Sequence, residues 1–214
     1  MQATRMLPPN HRQKVPLDLS KSKGAIVGAI VFGIMLLFAA AWLLMQFTRF
    51  LCPAALEYIG FGDLLTTTPD GHVSITLPVV DLVVALILVM VIHEFHGALF
   101  WRFAGQRPMF GVKGLFVYAA APPRVYFPRN QYLVVGMAPL VLLTLVGLLL
   151  MLIVPVIAVH ILSLFIVFNV AGAAGDLVMT VRLLSYSLDT LIQDSDTGVM
   201  VYGSGEAGTQ PNGV

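Results

Sequence analysis

The chain has 214 residues, of which 58% are hydrophobic and only 11% are charged, and its formal net charge is +1. Soluble domains usually carry about a quarter charged residues, so this composition indicates that a lipid bilayer is the main partner of the chain. The near-zero net charge argues against nucleic-acid binding. A single cysteine, Cys52, excludes an internal disulfide framework and a cysteine-rich metal site.

The N-terminal part of the chain predicts a tail followed by a membrane span. Residues 1–23 are polar and contain three prolines, so we predict a disordered tail. The 25 residues from Gly24 to Thr48 contain no charge. A helix of that length covers roughly 37 Å, which is enough for a bilayer core of about 30 Å. We therefore predict a spanning helix at about 24–50. The run is too long for a cleaved signal peptide, whose apolar region has about 7–15 residues.

Two further apolar stretches predict three more helices. The first runs from Leu77 to Phe103 and becomes polar at His93, which predicts a helix at about 77–104. The second, Asn130 to Gly175, has 46 residues without Asp, Glu, Lys or Arg. As one helix it would extend roughly 69 Å, twice what a bilayer requires. It must fold back, and Pro155 is the natural break, so we predict helices at about 131–154 and 156–183.

The basic residues predict the orientation of the four spans, which together form a membrane domain at 24–183. Lys and Arg are concentrated in cytoplasmic segments of membrane proteins. If the spans alternate, eleven of the twelve Lys and Arg residues fall on one side and only Arg49 falls on the other. We therefore predict a multi-pass protein of the cell membrane with both termini in the cytoplasm.

The connections and the C-terminal segment complete the predicted fold. The 51–76 loop faces outward. The 106–130 loop has two short β-prone runs separated by Lys113 and Gly114, which suggests a β-hairpin, with a plain connecting loop as the equal alternative. Residues 184–214 form an acidic cytoplasmic tail whose last dozen residues we predict to be unstructured. The predicted fold class is an all-α integral membrane protein with four helices and a hairpin-like cytoplasmic loop between the second and third.

Ionisable residues inside the spans are the candidates for function, because each costs about 2.5–3.5 kcal/mol at the centre of a membrane helix. They are Asp81, His93, Glu94, His96, His160 and Asp176. His96 lies six residues before Arg102, and Asp176 lies six residues before Arg182. Both are thus roughly 9 Å inside a cytoplasmic anchor. Packing of the second helix on the fourth, which Gly172 and Gly175 would allow at close range, brings them together.

This cluster has the composition of a zinc site. Two imidazoles and a carboxylate suit one zinc ion with a position left for water, and a further carboxylate can take a proton from that water. We predict His93, His96 and Asp176 as ligands and Glu94 as the catalytic base. Asn169, seven residues before Asp176, faces the same way and either hydrogen-bonds a ligand or bridges helices. The alternative is a polar patch satisfied by neighbouring helices. Asp81 and His160 lie at the outer ends of their spans and are assigned to the interface.

Several motifs resemble those of known zinc peptidases. The run His93-Glu94-Phe95-His96-Gly97 resembles the helix-borne His-Glu-x-x-His motif of those enzymes, and 169–176 resembles the Asn…Asp segment that supplies the third zinc ligand of site-2 proteases. Over roughly 75–200 the chain resembles a family of small bacterial membrane proteins known as "putative zincin peptidases". Four stretches carry that closer resemblance: His93–Gly105, Phe110–Asn130, Ala138–Leu150 and Asn169–Leu183. It implies a four-span fold and hydrolysis of a peptide or membrane-protein substrate by metal-activated water.

The motif departs from the zinc-peptidase pattern, because it reads His-Glu-x-His and is one residue short. On an ideal helix His93 and His96 are about 60° apart and can still face one metal ion, whereas Glu94 is about 160° from His96. Metal binding is therefore better supported than hydrolysis, and a degenerate relative that keeps the metal is one alternative. A non-catalytic scaffold is another. A third is a small ion or proton conduit that uses Asp81 and the polar cluster as relay groups.

Overall fold

A computed structural model describes residues 3–14, 16–17, 22–51, 53–58, 65–67, 73–75, 79–95, 109–113, 116–120, 124–195 and 198–204. Within these ranges the fold is mostly helical and contains small antiparallel sheets. The predicted second helix beyond residue 95, half of the 51–76 loop and the last ten residues lie outside the described residues.

Each long apolar run of the sequence contains at least one described helix. The helices are α1 (Lys23–Leu51), α2 (Val79–Phe95), α3 (Arg129–Ala138), α4 (Thr144–Met151), α5 (Val156–Gly172) and α6 (Ala174–Leu184). A π-helical segment, Pro139–Leu143, joins α3 to α4, and a short 3₁₀ helix covers Pro53–Tyr58. Among the described residues, three helical stretches are long and apolar enough to cross a membrane: Lys23–Leu51, Arg129–Met151 and Ala158–Leu184. A shorter apolar stretch, Val79–His93, lies within α2.

Two prolines explain where the helices break and distort. Pro155 has the extended conformation φ −56°, ψ 144° directly before α5, so the helical run breaks at the proline where the sequence predicts a break. Pro139 stands at the start of the π-helical segment. A proline inside a helix removes one backbone hydrogen bond and disturbs the preceding turn, and single π-helical turns are a common way to absorb such a disturbance.

The described strands form three antiparallel sheets. They are β1 (His11–Gln13), β2 (Leu65–Thr67), β3 (Val73–Ile75), β4 (Met109–Lys113), β5 (Phe116–Ala120), β6 (Phe127–Pro128), β7 (Leu191–Ser195) and β8 (Gly198–Ser204). β2 pairs with β3, and β4 pairs with β5 in a register that opposes Lys113 to Phe116. The second of these pairs is the predicted hairpin, and the two residues between its strands, 114 and 115, lie outside the described residues.

The largest sheet has the order β1-β8-β7-β6 and joins both ends of the chain. His11 opposes Ser204 and Gln13 opposes Tyr202 in the β1–β8 pair. The prediction of a disordered tail over 1–23 is therefore wrong for His11–Gln13. A strand of three polar residues has no apolar alternation to reveal it, because its stability comes from pairing with a distant partner.

The chain divides into two compact units, which we call the sheet unit (residues 1–30, 94–138 and 175–214) and the helical unit (31–93 and 139–174). In the sheet unit, apolar side chains from β7 and β8 form a core with Leu183 of α6, and Tyr132 and Leu133 of α3 pack against that core. In the helical unit, the core is made by α1, α2, α4 and α5; it comprises Ala40, Leu44, Val89, Met151, Val159, Phe165, Ile166 and Val167.

Arg129 joins the start of α3 to the end of α6 in the sheet unit. It is 8% exposed, and its guanidinium donates hydrogen bonds to the carbonyl oxygens of Leu184 and Tyr186 and to the Asn130 side chain. Its backbone N–H donates to the Thr190 carbonyl at 2.9 Å. Carbonyls at a helix C-terminus have no partner within the helix, so a buried guanidinium supplies the donors that Leu184 and the following turn lack.

Close helix packing occurs at glycines other than those predicted. A Cβ added to Gly147 of α4 would lie 2.7 Å from Ile166 Cγ1, and one added to Gly33 of α1 would lie 3.3 Å from the Ala171 carbonyl oxygen. At Gly172 and Gly175 an added Cβ meets nothing within 4 Å among the described residues. The part of the second helix predicted to pack on that last pair, around His96, lies outside the described residues, so this role stays a prediction.

Replacement of Gly147 by alanine is expected to destabilise the protein by about 1–3 kcal/mol, the usual cost of overpacking a filled core. The added methyl group would overlap Ile166. Thermal unfolding in detergent measures the effect, and Gly28→Ala in α1 is the matched control because its Cβ would meet nothing within 4 Å. Equal melting temperatures for the two variants would contradict the prediction.

Candidate metal centre

The polar end of α2 carries two of the predicted site residues. His93 and Glu94 lie in the last turn of α2, which is helical to Phe95, so the first two residues of the motif lie on a helix. The His93 side chain is half-buried. The side chain of Glu94 and the whole of His96 lie outside the described residues, and their predicted roles stay predictions.

Asp176 lies in the first turn of α6 and is half-buried. Sequence alone predicts one helix over 156–183, but the helix is interrupted at Ala173, which ends α5. This break gives Asp176 a position near a helix N-terminus, where a carboxylate is favoured. The residue borders a small cavity of about 40 Å³ that is lined also by Tyr132, Leu133, Gly136, Met179, Thr180 and Leu183. A cavity of that size with polar walls has room for a water molecule or a single ion.

Sequence analysis did not select two polar residues near this cavity. The Tyr132 hydroxyl donates a hydrogen bond to Asp194 Oδ1 at 3.2 Å. Asp194 comes from β7, in the segment predicted as a tail, so its proximity to α3 depends on a sheet that the sequence pattern did not reveal. The cavity beside Asp176 is thus connected through Tyr132 to a second carboxylate.

Asn169 is fully buried in α5 and bridges to the π-helical segment. Its Nδ2 donates to the Pro139 carbonyl at 3.2 Å, to the Leu140 carbonyl at 3.5 Å and to Thr144 Oγ1 at 3.2 Å. Helix bridging is one of the two roles expected for this residue. The π-helical turn leaves carbonyl oxygens that the regular α-helical pattern would have paired, and the amide satisfies them. Its Oδ1 has no hydrogen-bond partner within the described part of the chain.

Asp81 and His160 contact each other in the helical unit. His160 Nε2 lies 3.2 Å from Asp81 Oδ2. Both residues were assigned to the membrane interface, and their pairing was not predicted. The sequence contained one signal for this pairing. Each residue lies in the first two turns of its helix, and the two spans are predicted to run in the same direction.

A second cavity lies beside the start of α3 and contains none of the predicted site residues. Its volume is about 470 Å³, and it is lined by Pro128, Asn130, Gln131, Leu188 and Asp189. Hydrogen bonds from the hydroxyls of Ser187 and Ser204 hold the pKa of Asp189 below its ordinary value. Asp189 is therefore a stable anion on the surface of the sheet unit.

The described residues do not by themselves assemble a metal site. Among them, no group of three or more His, Cys, Asp or Glu side chains is placed to hold a metal ion. The predicted ligand set includes His96, which lies outside those residues, so this finding does not test the full set.

Comparison with known families identifies the central part of the chain. Residues 86–191 match the model of a family described as "Putative zincin peptidase". This part of the chain belongs to that family. The match confirms the resemblance found in the sequence, and it contains all five predicted site residues and Tyr132, whereas Asp81 and Asp194 lie outside it. No curated protein and no solved structure matches the chain.

Proposed function

We propose that the chain is a membrane-embedded zinc metallopeptidase. His93, His96 and Asp176 hold one zinc ion, and Glu94 is the general base for hydrolysis of a peptide bond. The observation that carries this proposal is the position of His93 and Glu94 in the last turn of an apolar helix, within the segment that matches the peptidase family.

The donor chemistry of the described residues fits zinc. Imidazole and carboxylate groups are the usual ligands of catalytic zinc sites. His93 and Asp176 are half-buried on apolar helices, where ionisable groups are retained for function more often than for stability. When bound, zinc supplies a Lewis acid that makes water more acidic and polarises a carbonyl group.

In this proposal the chain's own residues handle the proton and the substrate. The Glu94 carboxylate takes a proton from the attacking water and passes it to the nitrogen of the departing amine. The β4–β5 hairpin has strand edges that pair with an extended peptide segment of a membrane-protein or peptide substrate, since such pairing fixes the backbone register.

We further propose four spans with both termini in the cytoplasm. The pairing of β1, β8, β7 and β6 supports this topology, because it places the N-terminal segment, the residues before α3 and those after α6 in one sheet. These segments must then share one side of any membrane that the helices cross. α1 leads away from that side, and α2 is the apolar helix available to return the chain before β4.

The zinc content of the detergent-purified protein tests the proposal. We expect about one zinc ion per wild-type chain, as for a site with three protein ligands, and loss of most of it in His93→Ala, His96→Ala and Asp176→Ala. His11→Ala and Asp189→Ala are matched controls from the sheet unit, outside the predicted site, and should keep the metal. Near-zero zinc in the wild type would remove the proposal.

A further inference from the structure

The rotation of α2 about its own axis decides the direction in which His93 projects. One residue position corresponds to about 100° around a helix. His93 lies in the last turn of α2. If α2 were rotated by one residue position, the His93 side chain would point away from the other predicted ligands. The residues that fix this rotation are therefore functionally important even when they lie far from the metal.

The apolar residues of α2 do little to determine which face of the helix packs on its neighbours. Between Val79 and Ile92 the helix has one charged residue, Asp81, and every other side chain is apolar. Large side chains such as Val80, Ile87 and Val91 are more than half exposed. In lipid there is little hydrophobic force to turn one apolar face rather than another toward a neighbouring helix.

The Asp81–His160 pair supplies the missing specificity. Asp81, Ala85 and Val89 are spaced by four residues and so follow one face of α2. Ala85 is fully buried, and Val89 belongs to the same core cluster as Val159 and Phe165 of α5. Asp81 thus lies on the face of α2 that packs on the core, and the His160 and Asp81 side chains are 20% and 42% exposed. A polar pair between helices in lipid can fix their alignment, because any other alignment leaves its members without partners in apolar surroundings.

We propose that Asp81 and His160 are positioning residues that fix the rotation of α2 against α5. They thereby set the direction in which the His93 side chain projects. The consequence for metal binding rests on the proposed function, whereas the effect on rotation rests on the pair alone. Asp81 is twelve residues, roughly 18 Å along the helix, from His93. Neither residue of the pair can therefore touch a metal ion held at His93.

Site-directed nitroxide labels can measure this rotation. In a Cys52→Ser background, single labels are placed at Leu86 and at Leu88, which lie on opposite flanks of buried Ala85, about 100° and about 60° from it. Collision with dissolved oxygen reports lipid exposure in liposomes. A rotation of α2 raises the collision rate at one label and lowers it at the other, whereas general loosening raises both.

Asp81→Leu and His160→Leu are each expected to shift the two collision rates in opposite directions. The exchanged double variant, Asp81→His with His160→Asp, should restore the wild-type rates, which a merely structural role for either residue would not achieve. Val80→Leu, on the exposed face of the same turn, is the control and should change neither rate. Asp81→Asn, which keeps the shape of the side chain, should give a smaller shift in the same direction if the leucine variants fold poorly.

Zinc content measured on the same samples separates this inference from the proposed function. We expect the leucine variants to lose zinc and the exchanged variant to regain it. Opposite shifts at the two labels in a protein without zinc would support the positioning role and remove the metallopeptidase. Unchanged collision rates in both leucine variants would overturn the positioning role, whatever the zinc content.

Discussion

Replacement of Glu94 by glutamine is expected to leave the zinc content unchanged and to reduce peptide hydrolysis by roughly 10²–10⁴-fold, the usual contribution of a general base. Glutamine has the same shape as glutamate, but its amide cannot accept the proton of the attacking water. The measurement is the release of fluorescent fragments from a labelled single-span substrate reconstituted with the protein in liposomes. Zinc content is determined on the same sample.

The matched control is Glu57→Gln, which makes the same chemical change outside the segment that matches the peptidase family. It should keep both zinc and activity. Full activity of Glu94→Gln would contradict the proposed base. A wild-type protein that binds zinc and hydrolyses nothing would point instead to a degenerate relative, as the shortened His-Glu-x-His motif allows.

The difficulty with Glu94 is geometric and follows from the spacing of the motif. On an ideal helix Glu94 is about 160° from His96. A helix that ended its regular geometry after Phe95 would relax this constraint, since a 3₁₀ turn eclipses residues three apart and so aligns His93 with His96. Glu94→Gln therefore distinguishes two interpretations of the motif. In one the site keeps both its metal ligands and its catalytic base, and in the other it keeps only the ligands.

The sequence predicted the helices well because their signals are local. Apolar runs, the break at Pro155 and the β-prone pairs around Lys113 and Gly114 each lie within a few residues of the feature they specify. The described helices lie in the predicted apolar runs, and β4 pairs with β5 as the hairpin requires, although the helix predicted over 156–183 is interrupted at Ala173. Composition also indicated spanning helices, and three of the described helices have the length and composition of spans.

The features that the sequence did not predict depend on contacts between distant segments. β1 has three residues and β6 has two, and neither is recognisable without its partner in the sheet. The Asp81–His160 pair and the contact of Gly147 with Ile166 likewise require knowledge of which helix faces which. In lipid an apolar pattern does not reveal the packing face of a helix, so these contacts could be found only in three dimensions.

The sheet unit extends beyond the segment that matches the family. The segment that matches the family stops at residue 191, yet β8 and β1, which lie outside it, complete the sheet around β7. Asp194 of β7 accepts the hydrogen bond of Tyr132, which borders the same cavity as Asp176. Residues outside the matched segment therefore help to position α3 and α6, and with them the predicted ligand on α6.

Replacement of Arg129 by alanine is expected to destabilise the sheet unit strongly. Its buried guanidinium donates to the carbonyls of Leu184 and Tyr186, and a hydrogen bond that involves a charged group contributes about 1.5–3 kcal/mol. Arg129→Lys should recover only part of this stability, because an ammonium group cannot reproduce the planar arrangement of guanidinium donors. Thermal unfolding in detergent gives the loss of stability, and protease cleavage within 191–204 reports opening of the sheet.

Arg182→Ala is the matched control for Arg129. It removes the same side chain from the last turn of α6, where Arg182 is exposed, and surface substitutions of this kind usually change stability by no more than about 0.5 kcal/mol. If Arg129→Ala and Arg182→Ala unfolded at the same temperature, the guanidinium would not be holding α3 to α6. The order expected from the buried hydrogen bonds is wild type and Arg182→Ala most stable, Arg129→Lys next and Arg129→Ala least, because the number of satisfied carbonyls falls in that order.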